Sequence, residues 1–348
     1  MMNIDYKNIP ICIIGAGAIV RDAHLPAYQI AGFRVKGITN RKKEKAEALA
    51  SEFGIPAVYE SISEMVAAKG NSVVYDFALP ASEIMQVLEL LPVGATVLIQ
   101  KPLGENIQEA KAILNLTQEK QMVAGVNFQM RFAPYILEAK RMIANGALGE
   151  IADIEVYVNV HTPWSLWDFL FSKPRMEINY HSVHYIDLIR SFIGNPQKIY
   201  ARTFKHPQSR QLASVRTNII MDYGDALRAT IHTNHNHNYG YEHQQSYLKI
   251  EGTNGAIKIG FGVLIDYPRG VPDIFEYVLL NNDETPVWQT KSIAGSWFPH
   301  AFIGTMEQML LTKSGVIARP ENSVEDAFET MRCVEAAYQS NESGGFSI

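Results

Sequence analysis

Between Ile9 and Val126, short apolar runs alternate with longer stretches in which apolar residues return every three or four positions. That rhythm predicts a parallel sheet with helices on both faces, because a strand buried on both sides reads as an unbroken apolar run and its crossover as an amphipathic helix. Strands are expected near Ile9–Ile14, Phe33–Thr39, Ala57–Tyr59, Ser72–Phe77, Thr96–Ile99 and Met122–Val126. Helices are expected near Ala18–Ala31, Arg41–Phe53, Ile62–Ala68, Ser82–Leu91 and Asn106–Lys120. The last opens on Asn106 as N-cap, with Glu109 three residues later where a capping box places its acid. This alternation makes a doubly wound, Rossmann-type domain over residues 1–125.

After Val126 the rhythm changes. One helix, Pro134–Asn145, stops at Gly146, and period-two segments then begin at Glu150. Strands are expected near Ile151–Val160, Lys198–Thr203, Val215–Met221, Ala226–His232, Gln245–Glu251 and Ala256–Ile259, interrupted by a helix at His184–Ile193. Helices near Phe302–Thr312 and Val324–Ser340 close the chain. Residues 126–348 therefore read as a second α/β domain built on a large, mostly antiparallel open sheet.

Composition narrows the class. In 348 residues, 47% apolar and 19% charged content exclude a disordered chain and allow a large core. A formal charge of −5 without a basic block argues against nucleic acid as a partner. No run approaches the ~20 apolar residues of a membrane-spanning helix. Met1 to Pro10 carries Asp5 and Lys7 rather than the basic start of a signal peptide. Cys12 and Cys333 lie at opposite ends and suit neither a zinc quartet nor a disulfide framework, so a reducing cytoplasm is expected.

The candidate chemistry begins where the first strand ends. Gly15-Ala16-Gly17-Ala18-Ile19-Val20 has the two glycines that permit a tight turn and close approach of a pyrophosphate to a helix N-terminus, with Val20 in place of a third. The ribose-reading position after the second strand is neutral Asn40 instead of an acid, and Arg41, Lys42 and Lys43 follow. A missing carboxylate beside a guanidinium favours NADP over NAD, although these cations also suit the solvated first turn of a helix.

Beyond the loop, Ala78-Leu79-Pro80, Gln100-Lys101-Pro102, Asn127-Phe128-Gln129-Met130-Arg131-Phe132, His184-Tyr185-Ile186-Asp187 and Glu251-Gly252-Thr253-Asn254-Gly255 follow in order. With these pieces the sequence resembles the Gfo/Idh/MocA family over nearly its whole length. The resemblance implies a pyridine-nucleotide domain, with Gly15, Gly17, Ala18, Ile19, Asn40, Arg41, Ala78, Leu79, Pro80, Gln100, Lys101, Pro102 and Asn127 toward the cofactor. It also implies a second domain whose open sheet presents the substrate site and builds a homodimer or homotetramer. Lys101 maps to the lysine of the family's Glu-Lys-Pro motif and is expected to bind the reacting oxygen, with His184 as the base. Asp187, one turn on, either orients His184 or serves packing.

Two departures stand out. The glutamate before the lysine is Gln100, and the aspartate four residues before the histidine is Tyr180, so a proton relay through Tyr180 or His181 is an alternative. Arg131, His161, Trp164 and His235 join Lys101 and His184 as candidate substrate contacts, aromatic faces beside hydrogen-bonding groups being suited to a sugar or polyol. His232, His235 and His237 do not make a convincing metal site, since a strand would split them between two faces. The expected activity is hydride transfer between NADP, or NAD, and a carbinol carbon of a sugar, sugar derivative or cyclic polyol. A glycosidase or lyase that retains its nicotinamide, and a non-catalytic nucleotide or sugar sensor, are the alternatives.

Overall fold

The computed structural model describes residues 5–281, 285–345 and 347–348. Met1–Ile4, the start of the segment read for a targeting signal, lies outside them. The described residues form two compact units. One comprises Met1–Ala133 and Phe298–Met331, the other Pro134–Trp297 and Arg332–Ile348. A single boundary after residue 125 therefore misses a return of the chain, because Phe298–Met331 comes back to the first unit.

In the first unit the strands are β1 (Pro10–Ile14), β2 (Arg34–Thr39), β3 (Val58–Tyr59), β4 (Val74–Phe77), β5 (Thr96–Ile99) and β6 (Val123–Val126). All pair in parallel, in the order β3-β2-β1-β4-β5-β6. This is the doubly wound arrangement that the apolar runs predict. The intervening helices are α1 (Leu25–Ala31), α2 (Lys43–Phe53), α3 (Ile62–Lys69), α4 (Ile84–Leu90) and α5 (Ile107–Glu119). Asn106 caps α5 by accepting the Glu109 N–H at 2.9 Å, while the Glu109 carboxylate takes the N–H of Glu105 rather than that of the cap residue.

In the second unit, α6 (Pro134–Ala144) leads into β7 (Ile151–Asn159), and α7 (Val183–Ile193) precedes β8 (Lys198–Phe204), β9 (Arg216–Asp222), β10 (Arg228–Asn234), β11 (Gln245–Gly252), β12 (Gly255–Gly260), β13 (Ile274–Leu279) and β14 (Gln289–Thr290). The sheet runs β14-β13-β12-β11-β7-β10-β9-β8 and is antiparallel except for the central pair β7 and β10. Ile154, Val156 and Val158 on β7 are buried, with Glu155 and Tyr157 between them half-buried, the alternation of a sheet covered on one face. The last two strands carry no readable period. Buried positions in β13 are Phe275 and Val278, an odd spacing, and β14 has two residues.

The closing helices are α8 (Ala301–Lys313) and α9 (Val324–Ser343). Phe302, Met306, Met309 and Leu310 of α8 enter the core that holds Ile11, Ile13, Val74 and Leu98 of the parallel sheet. A Cβ on Gly304 would come within 2.4 Å of the Phe132 side chain, so a glycine is needed where this helix meets the end of the sheet. The return to the first unit is thus a packing event. No helix among the described residues is long and apolar enough to cross a membrane.

Candidate active site

The motif residues of the first unit stand in a row because each follows a strand of one sheet. Gly15 donates its N–H to Thr39 O at 2.9 Å, Ala78 to Ile14 O at 2.9 Å, Gln100 to Phe77 O at 3.0 Å, and Asn127 to Ile99 O at 2.8 Å. Four segments distant in sequence thereby meet at the carboxyl edge, where open α/β sheets bind ligands. Gly15 has φ +119°, and a Cβ there would lie 2.4 Å from Ala78 O. At Gly17 a Cβ would meet nothing within 4 Å. One glycine is required by the protein's own backbone, and the other leaves space at the start of the helix, so the loop fits a pyrophosphate. Val20 is buried in the core, which explains why a third glycine is dispensable.

The ribose-reading position is tied back into the loop. Asn40 Oδ1 accepts the N–H of Ala16 at 3.2 Å, and its Nδ2 donates to Lys42 O at 2.9 Å. Arg41 is exposed and pairs with Glu83 at 3.1 Å, in the turn that follows Pro80. Lys43 pairs with Glu60 and Glu47.

Gln100, expected toward the cofactor, has partners within the first unit. Its Oε1 accepts the Lys101 N–H at 2.9 Å, and its Nε2 lies 3.4 Å from His24 Nε2. Asn127 Nδ2 approaches the same ring nitrogen at 3.2 Å, and Asn127 Oδ1 accepts from Thr305 at 2.9 Å. On the far side of the ring, His24 Nδ1 lies 2.8 Å from Asp76 Oδ2, which also accepts from Tyr28 at 2.8 Å. Two amide donors at Nε2 require it to be the acceptor, so Nδ1 carries the proton toward Asp76. A buried chain from Tyr28 through Asp76 and His24 therefore ends on the backbone beside Lys101. Burial lowers the Lys101 ammonium to about 8, a value suited to proton exchange near neutral pH.

Two of the expected contacts have partners within the first unit. Asn127, expected at the cofactor, is 1% exposed, with both ends of its amide held by His24 and Thr305. Arg131, expected at the substrate, is 3% exposed and is engaged by Asp326 and by Glu321 O at 3.3 Å. Both side chains fasten α8, α9 and the strand ends together.

In the second unit, α7 is preceded by a π-turn, Ile178–Ser182, that carries Tyr180 and His181. His184 sits edge-on to Trp297 with ring centres 6.0 Å apart, and Asp187 is buried one turn on. Trp164 packs edge-on against both His181 and His235, at 5.2 and 5.5 Å, and these two imidazoles lie 4.7 Å apart. Trp164, Tyr180, His181 and His235 are thus gathered in one cluster, while His161 bridges to Asn236 through the backbone. The three nearby histidines have different surroundings, and only His232 lies on the strand. His232 stacks on Tyr157, His235 is buried, and His237 meets Asn159 and Tyr239. Among the described residues no His, Cys, Asp and Glu group is arranged for a metal.

The residue missed altogether is Glu177. It is fully buried and receives Ser182 Oγ at 2.9 and 3.0 Å, Thr217 Oγ1, and His235 Nε2 at 3.3 Å. An acid between Met176 and Ile178 was the available sign, since a carboxylate is rarely buried without a task for its partners.

A family model described as an oxidoreductase family with an NAD-binding Rossmann fold matches residues 9–128, and the Gfo/Idh/MocA C-terminal domain model matches residues 136–258. The chain belongs to the Gfo/Idh/MocA oxidoreductase family. Among curated members, D-xylose 1-dehydrogenase (NADP(+)) 2 of Haloferax volcanii is 22% identical over 340 residues, covering 95% of this chain and 97% of that one. The 1,5-anhydro-D-fructose reductase of Ensifer adhaerens is 24% identical over 264 residues, covering 74% and 77%. A Salmonella typhimurium relative is 31% identical over 142 residues, 40% of this chain and 45% of its own length. Levoglucosan dehydrogenase, solved with NADH and levoglucosan, superposes with a TM-score of 0.78 at 17% identity over 97% of this chain and 98% of that one. The fold of this Gfo/Idh/MocA protein is therefore shared from end to end with solved members.

Proposed function

We propose that this protein is an NADP-preferring dehydrogenase or reductase acting on a hydroxyl carbon of a sugar, sugar derivative or cyclic polyol. The observation that carries the reading is the row Gly15, Ala78, Gln100 and Lys101 at one sheet edge, with open space at Gly17 and a lysine whose ammonium is lowered to about 8. Sugar dehydrogenases among the relatives support the substrate class. When bound, the nicotinamide supplies or takes the hydride. Gly15, Gly17, Ala18 and Ile19 would hold the pyrophosphate, and Ala78, Leu79, Pro80 and Pro102 would shape the strand ends around the dinucleotide. Arg41 would take the 2′-phosphate in exchange for Glu83.

Lys101 would hydrogen-bond the reacting oxygen. As an ammonium it supports reduction of a carbonyl, and as an amine it receives the proton released by an alcohol. His184 would collect or relay that proton, with Tyr180 or His181 alongside. The outer face of the eight-stranded sheet, where Tyr200 and Ile220 are about half exposed, would join a second copy.

A panel of aldoses and inositols with NADP and NAD, followed at the reduced-nicotinamide absorbance, tests the reading. Net turnover with NADP ahead of NAD is expected. Lys101→Ala should lower it by about 10²–10⁴-fold with nucleotide affinity kept. Full activity of that variant removes Lys101 from the chemistry, and a cofactor that co-purifies without net turnover favours a lyase or glycosidase.

A further inference from the structure

Thr162, His235 and Glu177 form a hydroxyl–imidazole–carboxylate chain within the second unit. Thr162 Oγ1 lies 3.0 Å from His235 Nδ1, and His235 Nε2 lies 3.3 Å from Glu177 Oε1. The first two residues are also locked by backbone, since the Thr162 N–H donates to His235 O at 3.0 Å. Exposure rises along the chain. Glu177 is 0% exposed, His235 is 2% exposed, and Thr162 is half-buried.

The direction of every proton follows from the donors around Glu177. Ser182 and Thr217 both donate to its oxygens, so the carboxylate acts as acceptor and His235 Nε2 must bring the hydrogen to it. With its one hydrogen on Nε2 the ring has a bare Nδ1, and Thr162 turns its own hydrogen inward to satisfy it. A threonine hydroxyl is ordinarily ambivalent, but here its donor is spent and its remaining lone pairs can receive a hydrogen bond. Two residues away, the Trp164 indole N–H is 93% buried by residue and has no acceptor among the described residues, an independent sign that something with an oxygen belongs there.

The geometry points to a hydroxyl-recognition site in the 161–164 segment, in which Thr162 Oγ1 accepts a hydrogen bond from an alcohol hydroxyl of the ligand and Trp164 Nε1–H can donate to a ligand oxygen. Glu177 and His235 are positioning residues that fix Thr162 as an acceptor. The inference takes its ligand class, a polyol or sugar, from the proposed function. It adds that a group unable to donate, such as a carbonyl or ether oxygen, is disfavoured at Thr162. No proton needs to leave the ligand at this position, so the site governs selection of substrate and leaves the chemical step to other residues.

The test reads the protein's own protons first. In full-length protein carrying ¹⁵N-histidine, the His235 signals, assigned by their loss in His235→Gln, should show a protonated Nε2 and an accepting Nδ1. A protonated Nδ1 overturns the inference, because Thr162 would then accept inward and offer its hydrogen outward. Glu177→Gln should weaken or reverse the tautomer preference, and Thr162→Val, a milder change at a half-buried position, should move the Nδ1 signal alone.

The second arm titrates D-xylose, D-glucose and myo-inositol against the same signal. At least one should shift it, with affinity falling by about tenfold in Thr162→Val and returning to within about threefold in Thr162→Ser. No response to any of the three overturns the site, whatever the protein does to nicotinamide. A clear response without turnover on the wider panel keeps the site and overturns the dehydrogenase reading instead. For a probe that is turned over, the Thr162→Val loss should appear in KM, with kcat held within about threefold. An effect confined to kcat would contradict a recognition role.

Discussion

Each unit of the protein buries one histidine against one carboxylate, and the two pairs are used differently. His24 and Asp76 lie in the parallel-sheet unit, where the other ring nitrogen meets Asn127 and Gln100, both held internally. His235 and Glu177 lie in the second unit, where the other ring nitrogen meets the hydroxyl of half-buried Thr162. The first chain ends on the backbone beside Lys101, and the second ends at a group that can touch a ligand. A histidine paired with a carboxylate is therefore no sign of catalysis by itself. The partner at the far nitrogen decides whether the pair stiffens a site or addresses a substrate. Both histidines are reached through π-turns or their immediate packing. Val20–His24 itself carries the first histidine, and Ile178–Ser182 sets His181 beside the second. Such turns break the regular helical register and recur at functional sites.

The sharpest way to break this comparison is to remove the carboxylate of the first pair. Asp76→Ala leaves the His24 N–H and the Tyr28 hydroxyl buried without an acceptor and should cost about 2–4 kcal/mol, read from the urea midpoint. A loss below about 1 kcal/mol would show that the chain does not stiffen the Lys101 segment.

The pH dependence separates the two ends next. Under the proposed role of Lys101, whose ammonium is lowered to about 8, oxidation calls for the amine and should rise as pH increases through about 8 and then level off. Reduction, which needs the ammonium, should fall over the same interval. The change should approach tenfold per pH unit on the steep side. Steady rates across pH 7–9 in both directions would place the proton exchange elsewhere.

An exposed pair supplies the control. Arg41 and Glu83 form an ion pair at the surface, where the worth of the contact to folding is small. Arg41→Ala should leave the unfolding midpoint unchanged while lowering NADP affinity about tenfold and NAD affinity hardly at all. Glu83→Gln should act the other way, favouring NADP by about two- to threefold, since it frees the guanidinium. Equal effects on both nucleotides would remove Arg41 from cofactor selection.

How far the sequence could be read depended on whether a feature was local. Strand and helix periods, the Asn106 cap and the glycine loop are set by neighbours a few residues away, and these were legible to within one or two residues at most boundaries. The family motifs carried Lys101, His184 and the strand-end segments. The partners of Arg131 and Asn127 were not legible, because a motif fixes a residue type without fixing its partner. Asp326 and Thr305, nearly two hundred residues away, took those side chains. β13 escaped because its two buried residues fall out of period.

By itself, the sequence determined a doubly wound parallel sheet followed by a mostly antiparallel one, and the family to which the chain belongs. Tertiary structure alone decided that the chain returns to the first unit through α8, that Gln100 meets His24, and that Glu177 stands behind His235. The physical reason is the range of the forces concerned. Backbone hydrogen bonding and apolar periodicity act between near neighbours, whereas a buried polar group must find its partner wherever the fold brings one, and that choice leaves no mark in the local pattern.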